Sequence, residues 1–215
     1  MTHARTRDPD RRLTMSTTPS VAVDDTASDV RPSLIDSRFA YRSFAFAFVF
    51  GHGAFAVSGG PDPLVVLPLW VPLTLLACGI VPGVVSSLLA AKRAQKGAGP
   101  AEVLSEKLLG NAWATVFVAL TLGITGLTTT FDIPAEAQDV LWPTGAVFVV
   151  GLINIAEGAA RRNVLHYSLG TALAIIATAA LLFPPPGAFW VLSLAGSTAY
   201  LLAAFFEGRR ITALG

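Results

Sequence analysis

Long apolar runs follow one another from residue 39 almost to the end of the chain, and they constrain the fold more than any other feature. A run of about 18 or more apolar residues is typical of a helix that crosses a bilayer. Only 13% of the residues are charged, which is well below the usual share in a soluble domain. We therefore expect an all-α, polytopic membrane protein with six transmembrane helices, at about 39–58, 64–91, 111–131, 140–160, 164–183 and 187–207.

The positions of the basic residues predict how these helices are oriented. Lys and Arg occur in the N-terminal part up to Arg42, in a predicted loop at 92–110, in the Arg161–Arg162 turn and in the Arg209–Arg210 pair. The alternate connections, SGGPD, DIPAEAQD and PPP, contain no basic residue. Cytoplasmic loops are enriched in Lys and Arg. The pattern therefore predicts six spans with both the N terminus and the C terminus in the cytoplasm.

Composition divides the chain into three parts. Residues 1–36 are polar and contain no apolar run after a basic start, so we expect a disordered cytoplasmic tail rather than a signal peptide, with Met15 as an alternative initiator. Residues 37–208 are expected to form the transmembrane domain, and 209–215 a short cytoplasmic tail. The abundance of Ala, Gly, Val, Leu and Arg, with few Lys, indicates a bacterial cytoplasmic (inner) membrane.

Several function classes find no support in the sequence. The chain contains no HExxH, GxSxG or Walker motif and no cluster with metal-ligand spacing, so we expect neither an enzyme nor a metal site, and no cofactor. Cys78 is the only cysteine, which excludes an intramolecular disulfide. A net charge of +1 gives no indication of a nucleic-acid partner. The lipid bilayer is the one partner that the composition predicts.

Three prolines interrupt the second apolar run, PLWVPLTLLACGIVPG. Pro68 and Pro72 fall in the predicted first turns of the helix, where a missing amide hydrogen costs little. Pro82 lies deep in the run beside Gly83 and is expected to kink the helix. Two interpretations of the kink remain open, namely a hinge in a transport path and fixed curvature around close neighbours.

Ionisable and amide side chains within membrane helices are candidates for function because burying them is costly. His52 lies in FGHGAF, where it fits either a proton relay or a neutral histidine bonded to a neighbouring helix. Asn154 and Glu157 lie one turn apart, and Arg161 follows Glu157 by four residues. That spacing predicts either a proton or substrate site or an ion pair near the cytoplasmic end of the helix.

The third apolar run opens with GNAWAT, which brings the Asn111 amide into the membrane. Such an amide can bind a substrate carboxylate without the cost of a buried charge, or it can join two helices through a hydrogen bond.

The order of these features resembles the acetate uptake transporters, also called the succinate–acetate permeases, which are small six-helix proteins. The similarity covers about residues 76–208: CGIVPGVVSSLLAAKRAQKG, GNAWAT, IPAEAQ, VLHYSLGTALAI and AGSTAYLLAAFFE occur in matching order. The family's motif Asn-Pro-Ala-Pro-Leu-Gly-Leu is missing, because the chain reads RFAYRSF near residues 38–44. The chain therefore resembles a divergent member of this family.

This resemblance implies a function and a set of residues. It implies proton-coupled passage of a small monocarboxylate such as acetate, in a homo-oligomer. The substrate path would be lined by Asn111, Trp113, Thr115, Pro82, Gly83 and Ser86. The competing hypothesis is a multi-pass membrane scaffold, or a stress-related or permease-partner protein, without transport activity of its own.

Overall fold

The computed structural model describes residues 36–95 and 98–214. Met15 and the predicted tail up to residue 35 lie outside the described residues. The described part is all-helical, without a β-strand. In chain order its α-helices are α1 (Arg38–Phe46), α2 (Gly53–Ser58), α3 (Trp70–Gln95), α4 (Pro100–Thr130), α5 (Ala135–Ala160), α6 (Val164–Ala180), α7 (Gly187–Val191) and α8 (Ser197–Leu214).

Within residues 36–95 and 98–214, four helical segments are long and apolar enough to cross a membrane, by length and composition: Trp70–Arg93, Pro100–Thr130, Ala135–Ala160 and Gly187–Ala213. α6 is apolar but has only 17 residues. At 1.5 Å per residue it is about 26 Å long, somewhat less than the hydrocarbon thickness of a typical bilayer. The structure thus confirms an all-α protein with membrane-type helices, while the count of six spans and the side of the termini stay predictions.

Two of the six helical segments contain a π-helical stretch. Ala47–His52 joins α1 to α2, and Leu192–Gly196 joins α7 to α8, with right-handed helical backbone angles at each junction. We call the resulting continuous helices the N-terminal rod (38–58) and the C-terminal rod (187–214). The π-helical stretches of the two rods pack against each other. The ring of Phe48 occupies the space that a side chain at position 196 would need, so Gly196 permits this contact.

Helix packing follows the order α3, N-terminal rod, C-terminal rod, α6, α5 and α4. The most extensive contact joins α5 and α6, which form a hairpin with a three-residue turn. α4 lies at the edge of this arrangement and packs mainly on α5. Ile124 is the only buried residue of α4, so most of its surface is open to lipid or to another protein.

The predicted loop at 92–110 is wrong for most of its length. α3 continues through Gln95, and α4 begins at Pro100, about eleven residues before the predicted span. The physical reason is a strong helix start, in which Pro100 occupies the first position and Glu102 accepts a hydrogen bond from the Gly99 amide at 3.0 Å.

Two other predicted boundaries also shift. α3 begins at Trp70 rather than near 64, because Pro68 disfavours helix at the residue before it. Pro68 therefore precedes the helix, whereas Pro82 lies inside it. At the other end, α8 continues through Leu214, so the described part of the predicted tail at 209–215 is helical.

Candidate functional site

Polar side chains from four helices meet where α5 ends and α6 begins. The centre of this group is Glu157, in the last turn of α5, which is 8% exposed. We use the name Glu157 cluster for Tyr41, Glu106, Trp113, Glu157, Arg161 and His166, which are joined by hydrogen bonds and ion pairs.

Three donors surround the Glu157 carboxylate. The indole N–H of Trp113, on α4, donates to Oε1 at 2.7 Å. The other oxygen, Oε2, lies 3.3 Å from Arg161 Nη1 and 3.1 Å from His166 Nε2. An ionised carboxylate needs several donors once it leaves water. The arrangement therefore compensates for burying this charge and ties α4, α5 and α6 together.

His166 extends the cluster to the N-terminal rod. Its Nδ1 atom lies 2.9 Å from the hydroxyl oxygen of Tyr41. Because the ionised Glu157 carboxylate can only accept, His166 Nε2 must carry a hydrogen. In a neutral imidazole Nδ1 then accepts the hydroxyl hydrogen of Tyr41. Protonation of Nδ1 would reverse that bond and oblige the Tyr41 hydroxyl to find another acceptor.

Arg161 closes the cluster at the turn between α5 and α6. Its Nη2 and Nε atoms donate to the two oxygens of Glu106 at 2.6 and 2.8 Å, a two-pronged geometry that guanidinium and carboxylate groups favour. Burial alone would lower the pKa of Arg161, but the hydrogen bonds to Glu106 and the negative charges of Glu157 and Glu106 outweigh it and raise that pKa. Arg161 therefore remains a fixed cation in the cluster.

The predicted Glu157–Arg161 ion pair is present, and Trp113 is the predicted path residue that joins the same cluster. Asn111 and Thr115 lie on α4 with exposed side chains, and Thr115 makes no side-chain hydrogen bond within the described part of the chain. Neither contacts the Glu157 carboxylate.

The three predicted path residues of α3 lie elsewhere. Gly83 packs against the ring of Phe44, in the N-terminal rod, so it faces that rod. The Ser86 hydroxyl donates to the Gly83 carbonyl of its own helix at 2.8 Å, and Pro82 is half-buried inside α3. The structure therefore does not gather Pro82, Gly83 and Ser86 with the residues of α4, since α3 and α4 touch only slightly.

The other two predicted polar residues are buried and separate from the Glu157 cluster. Asn154 donates to the Val150 carbonyl of its own helix at 2.8 Å. His52 lies in the π-helical stretch of the N-terminal rod with its ring 4.7 Å from that of Phe48, and its Nδ1 atom has no hydrogen-bond partner among the described residues.

Neither His166 nor Glu207 is among the candidates singled out from the sequence, and the structure shows that both are enclosed by other helices. His166 is partly buried and bonded to two helices, and Glu207 has no exposed surface. Glu207 accepts from Arg210 at 2.8 Å through both oxygens and from the Ser37 amide at 3.3 Å. The signal that could have found them is the predicted topology, because it places the polar residues near several helix ends on the same side.

Comparisons with family models, with curated proteins and with solved structures each find no match. The resemblance to the acetate uptake transporters therefore rests on the sequence features alone.

Proposed function

We propose that this chain is a secondary transporter that moves a small organic anion across a membrane together with protons. The observation that carries the proposal is the hydrogen-bonded series Tyr41–His166–Glu157, partly buried and connecting the N-terminal rod, α6 and α5. Titratable groups that face the interior of a membrane bundle are typical of proton relays in pumps and transporters. Histidine suits this role because each of its ring nitrogens can either donate or accept a hydrogen.

The geometry supports a coupling step in the cluster. A proton on His166 strengthens its attraction to Glu157 and converts Nδ1 from an acceptor into a donor toward Tyr41. The contact between α6 and the N-terminal rod thus depends on the protonation of one side chain. A transporter needs such a dependence, because a proton can drive movement only by favouring one arrangement of the helices.

The remaining parts of the proposal derive from the sequence. A monocarboxylate such as acetate as substrate, a homo-oligomer and a bacterial inner membrane follow from the resemblance and the composition. The side chains of Asn111 and Thr115 are exposed on α4. They can line a substrate path only where a second copy, or another part of the assembly, covers that face of the helix.

Uptake into liposomes tests the proposal. The full-length protein is reconstituted, and labelled acetate uptake is measured with and without an imposed pH gradient. We expect gradient-stimulated uptake, reduced roughly tenfold or more by Glu157→Gln, since general acid–base groups are commonly worth that factor. Glu136→Gln is the matched control, because Glu136 is an exposed carboxylate in the first turn of the same helix.

Two results would reject the proposal. One is the absence of protein-dependent uptake of acetate and lactate under any gradient. The other is an equal effect of Glu157→Gln and Glu136→Gln. His166→Gln provides a second variant, which keeps a donor toward Glu157 but cannot carry the additional proton.

A scaffold without transport activity is the second candidate, and a specific observation favours it. Each oxygen of Glu157 already has a protein donor, and the thinly packed α4 offers a long apolar face to another membrane protein. On this hypothesis, Glu157→Gln lowers stability and no variant changes uptake, so the same liposome series decides between the two candidates.

A further inference from the structure

A groove of about 530 Å³ runs between the start of the N-terminal rod and the last turns of α8. It is lined by three arginines and by small or apolar side chains, namely Arg38, Arg42, Arg209, Ala204, Phe205 and Gly208. The groove lies at the charged end of Gly187–Ala213, one of the four segments suited to crossing a membrane. It therefore combines a basic rim with an apolar wall at the end of a segment suited to crossing a membrane.

The charges on the rim are not all neutralised by the protein. Arg38 is paired with Asp36, through contacts of 2.6–3.1 Å, and this hydrogen bonding lowers the pKa of Asp36. Arg42 is exposed and makes no ion pair with any described residue. The guanidinium carbon of Arg209 lies 4.5 Å from the ring centroid of Phe205, which holds its charge above the apolar wall. Two guanidinium groups thus remain available to an anion.

The apolar part of the groove is exposed and open. Phe205 is 55% exposed, and Ala204 and Gly208 keep the space beside it open. A side-chain carbon added at Gly208 would meet only the Arg38 side chain, at 3.8 Å, so the space beside this residue is open. A free phosphate would leave this apolar wall exposed, whereas an acyl chain would cover it.

We propose that this groove binds an anionic phospholipid of the surrounding membrane, with the phosphate between Arg42 and Arg209 and an acyl chain along Phe205. Guanidinium groups match phosphate oxygens in geometry as well as in charge. Basic clusters at the cytoplasmic ends of membrane helices are a common mode of anionic-lipid recognition. The proposal is independent of transport, because none of these residues belongs to the Glu157 cluster.

Lipid titration by native mass spectrometry tests this inference. The full-length protein in neutral detergent is titrated with a phosphatidylglycerol and with a phosphatidylcholine of the same acyl chains. We expect tighter binding of phosphatidylglycerol than of phosphatidylcholine. The double variant Arg42→Gln/Arg209→Gln should lose roughly 30-fold in affinity for phosphatidylglycerol, because each arginine contributes about 1 kcal/mol of attraction. The double variant Lys92→Gln/Arg93→Gln removes the same charge from the exposed end of α3 and should bind as the wild type does.

A third variant, Gly208→Leu, fills the groove without changing its charge and should also weaken phosphatidylglycerol binding. Two outcomes would overturn the proposal. The first is unchanged phosphatidylglycerol affinity in Arg42→Gln/Arg209→Gln. The second is loss of the preference for phosphatidylglycerol when inorganic phosphate is added at the concentration of the lipid, because the groove would then bind phosphate rather than a lipid.

Discussion

Glu207 is a carboxylate with no exposed surface. It lies at the charged end of α8, where Arg209 and Arg210 follow it in the sequence. Its carboxylate is compensated from two directions, by Arg210 in the next turn of α8 and by the Ser37 amide at the start of the N-terminal rod. A buried carboxylate that loses its charge leaves its partners without an acceptor of equal strength. This contact therefore fixes the ends of the two rods against each other.

Glu207→Gln is expected to lower the free energy of unfolding by about 2–3 kcal/mol, because hydrogen bonds from a charged donor weaken and the Ser37 amide competes for one neutral oxygen. Unfolding in mixed micelles of increasing denaturing-detergent fraction measures the change. Glu136→Gln removes the same charge from an exposed position and should change it by less than about 0.5 kcal/mol. Equal losses in the two variants would contradict a structural role for the Glu207 contacts.

The sequence predicts some of these residue contacts and not others. The pairs Glu157–Arg161 and Glu207–Arg210 lie within one helical turn, so their spacing is sufficient to predict an ion pair. The burial of Glu207 depends on Ser37, which is 170 positions away, and His166 reaches Tyr41 across 125 positions. No local pattern contains such contacts, since they follow from which helices become neighbours.

At the scale of the elements, glycines allow the close contact between α5 and α6. Gly151 on α5 and Gly170 on α6 face each other, and a side-chain carbon at Gly151 would lie 2.7 Å from the Ala174 amide nitrogen and 2.8 Å from the Gly170 carbonyl oxygen. Small residues at such positions let helix backbones approach closely, which is a main source of helix association in membranes. The α5–α6 hairpin is therefore the best-packed unit of the described chain.

Gly151→Ala is expected to destabilise the protein by about 1–3 kcal/mol, because the added methyl group meets backbone atoms that cannot move without separating the helices. Gly123→Ala on α4 is the matched control, since nothing lies within 4 Å of the added carbon. That change should be neutral or stabilising by up to about 1 kcal/mol, as alanine favours helix over glycine. Unfolding in mixed micelles checks both variants, and a greater loss for Gly123→Ala would refute the packing argument.

Helix positions were easier to predict than helix ends. Apolar runs locate all six helical segments, because the demand for a lipid-compatible surface applies along the whole run. The start of α4 was missed because KRAQKGAGPAEVLSEK is polar, although Pro100 and Glu102 provide the usual signals of a helix N terminus. Hydropathy reports where a helix meets lipid, whereas capping reports where its backbone begins, and the two differ for a helix that extends beyond the membrane.

At the scale of the molecule, contacts between helix ends show which ends lie on the same side of the bundle. The start of the N-terminal rod contacts the end of α8 through Ser37 and Glu207, and the starts of α4 and α6 contact the end of α5 around Glu157. Such contacts require neighbouring helices to alternate in direction. All the described basic residues then lie on the side at which the two polar contacts occur. The enrichment of Lys and Arg in cytoplasmic loops predicts that this side is the cytoplasmic one.

Cysteine labelling tests this orientation, and the chain is suited to it because Cys78 is its only cysteine. In a Cys78→Ser background, we expect Asp62→Cys and Asp132→Cys to react with a membrane-impermeant maleimide in intact cells. Ala101→Cys and Thr212→Cys should react only after the membrane is permeabilised. All four positions are exposed, and none of the changes removes a basic residue that orients the chain.

The four positions also test the number of crossings after residue 62, because each successive pair encloses an odd number of predicted crossings. Between positions 62 and 101 only α3 crosses, between 101 and 132 only α4, and between 132 and 212 the remaining three segments. Labelling of Asp132→Cys and Thr212→Cys from the same side would mean that one of those three does not cross. The 17-residue α6 is the segment to which that outcome would point, since it is the shortest.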